Sequence, residues 1–133
     1  MKLLIVEDDE DTSSFIQYVL EDEGHVVHTA SAAGEARQKL REFKPDLIIL
    51  DRGLPDQDGV EFCRELRGQP LTANTPVLFV SSAKTPADVA EGFSAGGDDY
   101  VTKPFGFVEL VARVESLLRR TGGAPETPPP SRA

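Results

Sequence analysis

Five short stretches of this chain are apolar almost without a break, and they alternate with longer stretches whose apolar residues recur every three or four positions. The short ones cover residues 2–6, 25–30, 46–50, 77–81 and 99–102, with Leu3-Leu4-Ile5-Val6 and Leu47-Ile48-Ile49-Leu50 the purest. A run of this kind predicts a strand covered on both faces, as in a parallel sheet with helices above and below. The longer stretches, residues 11–23, 32–43, 60–68, 86–95 and 107–120, read as helices. Strict alternation of the two predicts βα units in series, an α/β fold. Punctuation agrees with it. Gly24 and Gly96 stand where helices should stop and Ser31 where one should start, while Thr85-Pro86-Ala87-Asp88 reads as an N-cap with proline at the first helical position.

The polar residues that end these runs change the picture from fold to chemistry. Glu7, Asp8 and Asp9 follow the first run, Asp51 the third, Ser81 and Ser82 close the fourth, and Lys103-Pro104 follows the fifth. In an open parallel sheet all of these fall at the carboxyl edge, where such folds place their sites. Glu7, Asp8 and Asp51 brought together have reference pKa values of about 4. At an effective dielectric near 20, two like charges about 4 Å apart repel by roughly 4 kcal/mol, so the cluster calls for a cation. Hard oxygens without nearby Cys or His select Mg²⁺. A plainer reading makes the acids caps of the first helix, which Asp9 or Asp11 could do alone. It leaves Asp51 unexplained.

Length and charge narrow the classes further. The 133 residues suit one domain, and a net charge of −9 argues against direct binding to nucleic acid, which needs Lys and Arg on the phosphates. Partners are expected to be proteins or cations. The single cysteine, Cys63, falls within a helical stretch and reads as a packed thiol. That suits a cytoplasmic protein, as does the absence of any apolar segment of the ~20 residues a membrane span needs and of a leader pattern after Lys2. His25 and His28 would face opposite sides of a strand, which makes them a poor metal pair and predicts surface positions.

Four motifs in order, Leu4 to Asp9 (LIVEDD), Asp51 to Gly59 (DRGLPDQDG), Pro76 to Ser82 (PVLFVSS) and Gly97 to Phe105 (GDDYVTKPF), resemble the receiver domain of two-component response regulators. The resemblance spans residues 1–120 and is nearest to the winged-helix, OmpR/PhoB-type subfamily. It implies a flavodoxin-like, doubly wound five-stranded parallel sheet of order 2-1-3-4-5 with helices on both faces. It also implies that Asp51 accepts a phosphoryl group from a sensor histidine kinase or phosphotransfer protein, with Mg²⁺ held by Asp8 and Asp51 directly, by Glu7 through water and by the Gly53 carbonyl. Lys103 would pair with Asp51 or a phosphoryl oxygen from a cis peptide before Pro104. Ser81, rather than Ser82, aligns with the switch hydroxyl and Tyr100 with the switch aromatic. Beyond self-phosphotransfer and autodephosphorylation no enzyme activity is expected.

The resemblance further implies a phosphorylation-dependent homodimer through the fourth helix, fifth strand and fifth helix. Ala90, Phe93 and Val111 would form its patch, and Asp98, Asp99, Glu109, Arg113 and Arg120 its charged ring. Val89 stands where a basic residue facing Glu109 is usual. Two other departures lie beside Asp51. Arg52 replaces an apolar residue and reads as a solvated loop arginine more than a phosphate contact, and Gly53 replaces a larger side chain and would leave an acyl phosphate open to water. Residues 121–133, with four prolines, read as a flexible tail or linker. Two other functions fit parts of the pattern. A haloacid-dehalogenase-type, Mg²⁺-dependent phosphatase would want a second Asp where Gly53 stands, and an interaction module without phosphoryl chemistry would be expected to lack some of the acidic, Ser and Lys set.

Overall fold

The computed structural model describes residues 1–120, and the expected tail at 121–133 lies outside them. The chain runs β1 (Lys2–Val6), α1 (Glu10–Asp22), β2 (Val26–Ala30), α2 (Ala33–Leu40), β3 (Leu47–Leu50), α3 (Gly59–Arg67), β4 (Val77–Ser81), α4 (Pro86–Ser94), β5 (Asp99–Thr102) and α5 (Phe107–Arg120). The strands form one parallel sheet of order β2-β1-β3-β4-β5, as the resemblance implied.

Because side chains alternate along a strand, each uninterrupted apolar run feeds two cores. Leu4, Val6, Ile48, Leu50 and Phe79 point to one face with Ala33, Ala36, Phe62 and Leu66. Leu3, Ile5, Leu47, Ile49, Val80 and Val101 point to the other, against Ile16, Leu20, Leu110, Val114 and Leu117. Nearly all are fully buried, and each such aliphatic side chain contributes roughly 1.5–3 kcal/mol relative to exposure. Cys63 is a buried thiol of the first core, and among the described residues no helix is long and apolar enough to cross a membrane.

Helix ends follow the sequence signals except at the two ends of α2. Gly24 and Gly96 adopt φ of +94° and +109°, which side chains rarely tolerate. Thr85 caps α4 in a reciprocal box with Asp88, and Asp9 caps α1 through Thr12. Ser31 does not cap α2. The N-cap is Ala32, and the Asp56 carboxylate from the β3–α3 connection accepts instead from the backbone N–H groups of Ala33 and Gly34, both at 2.9 Å. At its other end α2 stops at Leu40, short of Phe43, whose ring stacks on His28 at 3.7 Å.

His25 departs from the surface position expected of it. The two histidines take different partners: His28 stacks on Phe43, and His25, just before β2, turns to α5. Only 8% of the His25 side chain is exposed, and its Nε2 lies 2.8 Å from Glu115 of α5, a partner 90 residues away that no local pattern reveals.

Candidate functional site

Parallel register brings the carboxyl ends of four strands to one edge. Asp51 N–H donates to the Val6 carbonyl at 3.0 Å, and Lys103 N–H donates to the Ser81 carbonyl at 2.9 Å, so Glu7, Asp51, Ser81 and Lys103 emerge side by side. Glu7, Asp51 and Ser81 are 4%, 7% and 3% exposed, whereas Asp8 faces solvent. Carboxylate oxygens of Glu7, Asp8 and Asp51 all lie within 4.8 Å of one another. Lys103 crosses to them, with Nζ 2.8 Å from Glu7 Oε1 and 3.3 Å from Asp51 Oδ2. The Lys103–Pro104 peptide is cis.

The crowding shows in the acid–base balance. Burial pushes the Glu7 carboxyl up, the Lys103 hydrogen bond pulls it down and the Asp51 charge pushes it up again, leaving it raised to about 7. Burial works against the Lys103 cation, but Glu7 and Asp51 outweigh it and hold its pKa above the ordinary lysine value. A divalent cation among these oxygens would favour the ionised form of Glu7. The donor set fits one: it is all hard oxygen, without nitrogen or sulfur ligands.

The connection after Asp51 is tight because two glycines let it be. Gly59, at the start of α3, lies so close to the Asp51 carbonyl that a Cβ there would come within 2.2 Å of it. At Gly53 a Cβ would stand 3.9 Å from Asp51 Oδ2, an ordinary contact distance, so glycine places no side chain beside that carboxylate. Arg52 is not the solvated loop arginine expected. Its side chain is 12% exposed and runs to α4, where Nη1 donates to the Asp88 carbonyl at 2.7 Å and Nη2 to Glu91 at 2.5 Å. These partners are 36 and 39 residues away, beyond any sequence signal.

Ser81 and Tyr100 meet on the backbone of Ala83. The Ser81 hydroxyl accepts from Ala83 N–H at 3.1 Å, and the Tyr100 hydroxyl donates to the Ala83 carbonyl. Tyr100 is 8% exposed and tilts against Phe79 with ring centroids 5.7 Å apart. Gly92 makes that inward position possible, since a Cβ there would sit 2.9 Å from the tyrosine ring.

The residues expected at a dimer face are spread differently. Ala90 and Phe93 are exposed, Val111 is half-buried and Arg120 is exposed. Arg113 reaches Asp99 at 3.0 Å and Glu109 at 3.3 Å, forming a charge row along α5 and β5. Asp98 is engaged within the chain, by Arg67 at 2.8 Å and by Val77 N–H at 2.9 Å. Val89 packs partly against the core.

The family model for the response regulator receiver domain matches residues 3–115. This chain belongs to that family. The receiver domain is 43% identical over 119 residues to the phosphate regulon transcriptional regulatory protein PhoB of Rhizobium meliloti, and 44% over 120 residues to the alkaline phosphatase synthesis transcriptional regulatory protein PhoP of Bacillus subtilis. Each match covers 90% of this chain and 52% or 49% of the relative, so the chain spans about half the length of these curated relatives. They are of the OmpR/PhoB type. Among solved structures, the receiver domain of Francisella response regulator 1452 superposes with a TM-score of 0.85 at 35% identity, covering 91% of this chain and 98% of that one. The BeF3-activated N-terminal receiver domain of Klebsiella pneumoniae RstA gives 0.82 at 32%, covering 90% and 99%.

Proposed function

We propose that the domain is the phosphoacceptor switch of a two-component system, with Asp51 taking a phosphoryl group from a histidine kinase or phosphotransfer protein. The observation that carries this reading is the convergence of Glu7, Asp8 and Asp51 within 4.8 Å, crossed by the Lys103 ammonium. An Asp51 oxygen bonds to phosphorus as the bond from phosphorus to the donor's histidine nitrogen breaks, and the imidazole leaves with the donor. Lys103, a compact cation on a flexible stem, neutralises the transferring oxygens. Mg²⁺, held by the Asp8 and Asp51 carboxylates, the Gly53 carbonyl and Glu7 through water, would supply charge neutralisation and orientation. Ser81 donates its hydroxyl to the phosphoryl group, releasing Ala83 N–H, and Tyr100 reports that change to α4. The domain turns nothing over beyond its own loss of phosphate. Its setting is the cytoplasm, and DNA is reached, if at all, through another domain, as the relatives' description as transcriptional regulators suggests.

The test uses acetyl phosphate. With Mg²⁺, intact mass should rise by one phosphoryl group, and a chelator should prevent it. Phosphoryl uptake undiminished by chelator would sink the metal assignment, and no uptake from either acetyl phosphate or a histidine kinase would sink the acceptor role.

We also propose that the α4-β5-α5 face forms a symmetric dimer in the phosphorylated state. The row of Asp99, Arg113 and Glu109 beside exposed Phe93 supports it, because a twofold interface needs such self-complementarity. Association is expected to be weak. Val89 offers no cation, and Asp98 is already bound to Arg67. In sedimentation with beryllofluoride and Mg²⁺ the wild type should shift toward dimer and Arg113→Glu should not; a monomer at high concentration rules this mode out.

A further inference from the structure

Helix α4 is poorly anchored by packing. Across its nine residues the one buried position is Gly92, which has no side chain to contribute. A helix of this length has little stability of its own and depends on tertiary contacts. Val89 supplies a partial apolar contact. Gly92 lies against the Tyr100 and Phe79 rings, and the polar attachment from the phosphoacceptor edge comes from another element, through Arg52.

Arg52 is held at both ends. Its backbone is clamped: its carbonyl accepts from Gly59 N–H at 2.9 Å, and its Cα lies so near Gly59 that a Cβ there would come within 2.7 Å. Its guanidinium grips the first turn of α4 through the Asp88 carbonyl and the second through Glu91. The Arg52 side chain is 12% exposed while that of Glu91 is 50% exposed, so the part-buried, charge-assisted bond to the Asp88 carbonyl is the stronger of the two. Burial opposes the cation, yet the Tyr100 hydroxyl and Glu91 outweigh it and hold the pKa above the ordinary arginine value. One side chain therefore joins the position after Asp51 to two turns of the helix of the output face.

We infer that Arg52 is the coupling residue of this receiver domain: it fastens α4 to the loop that carries Asp51, so that a change at the phosphoryl site reaches α4 through the guanidinium. The fastening stands on contacts alone, and the transmission of a phosphoryl signal rests on the function proposed above. An apolar residue at this position could pack beneath α4 but could not hold both Asp88 and Glu91.

Hydrogen exchange separates the two parts. In metal-free protein, Arg52→Met, which keeps the apolar stem, should speed exchange of the α4 amides about tenfold, the loss expected for a charge-assisted hydrogen bond. Amides of β1 and β3 should keep their wild-type rates, which shows that the fold is intact. Glu91→Gln, which removes half of the grip and leaves the core untouched, should give a smaller increase in the same amides. Adding beryllofluoride and Mg²⁺ should alter α4 exchange in wild type and much less in Arg52→Met, although both still take up one phosphoryl group from acetyl phosphate. Unchanged α4 exchange in Arg52→Met and Glu91→Gln overturns the fastening, and an undiminished beryllofluoride response in Arg52→Met overturns the coupling. Failure of wild type and variant alike to label Asp51 would instead count against the proposed function, leaving the exchange result to stand.

Discussion

Asp51→Asn is expected to take up no phosphoryl group from acetyl phosphate and, in chelator, to melt no lower than wild type. Loss of labelling follows from chemistry, because an amide oxygen is neither the nucleophile nor the metal ligand that a carboxylate is. The stability result follows from the site's charges. Glu7 and Asp51 are both buried, and two such charges about 4 Å apart repel by roughly 4 kcal/mol at an effective dielectric near 20. Lys103 offsets part of that repulsion, but it lies closer to Glu7, at 2.8 Å, than to Asp51, at 3.3 Å. With Asp51 neutral, Lys103 keeps its shorter partner and one source of the raised Glu7 pKa disappears. Mg²⁺ should raise the melting temperature of wild type by mass action and that of the variant much less. Thermal melts with and without chelator check this. A drop of several degrees in metal-free Asp51→Asn would mean that the Asp51–Lys103 pair outweighs the repulsion.

What the residues reveal in advance, and what they hide, divides along range. Strands were legible because their apolar runs are uninterrupted, and helix ends because Gly24, Gly96 and Thr85 act on their own neighbours. The site was legible for the same reason: Glu7, Asp51, Ser81 and Lys103 each close a run, and parallel register alone aligns the ends of such runs. Long-range side-chain choices were not. Arg52 looks like a loop arginine until α4 is placed beside it, and His25 looks exposed until Glu115 of α5 arrives. The start of α2 was misjudged because its cap comes from Asp56, more than twenty residues on, while Ser31 bonds instead to Glu35. Even Lys103 was only half read. Its pairing with Asp51 was expected, but its shorter contact with Glu7 depends on the relative depth of two strand ends.

Gly59→Ala is expected to destabilise the domain by about 3 kcal/mol, at the upper end of overpacking costs, lowering the melting temperature by roughly 10 °C. Two effects compete at this position. Alanine is favoured over glycine inside a helix by up to about 1 kcal/mol, and Gly59 is the first residue of α3. Against that, the new Cβ would lie 2.2 Å from the Asp51 carbonyl oxygen, 2.7 Å from Arg52 Cα and 2.9 Å from the Asp51 carbonyl carbon. All three are backbone atoms, so no rotamer change can relieve the contact, and sterics win over propensity. Either α3 must draw away from the sheet, opening the pocket that holds Phe62 and Leu66, or the loop bearing Asp51 must shift. Both routes reach function, because Asp51 would lose its place beside Glu7 and Lys103, and labelling by acetyl phosphate should slow as well. Gly106→Ala is the control: a Cβ there meets nothing within 4 Å, and its melting temperature and labelling should match wild type within error. A Gly59→Ala protein that melts within about 2 °C of wild type, under 1 kcal/mol for a domain of this size, would show that the Asp51 loop yields freely and is not held by α3.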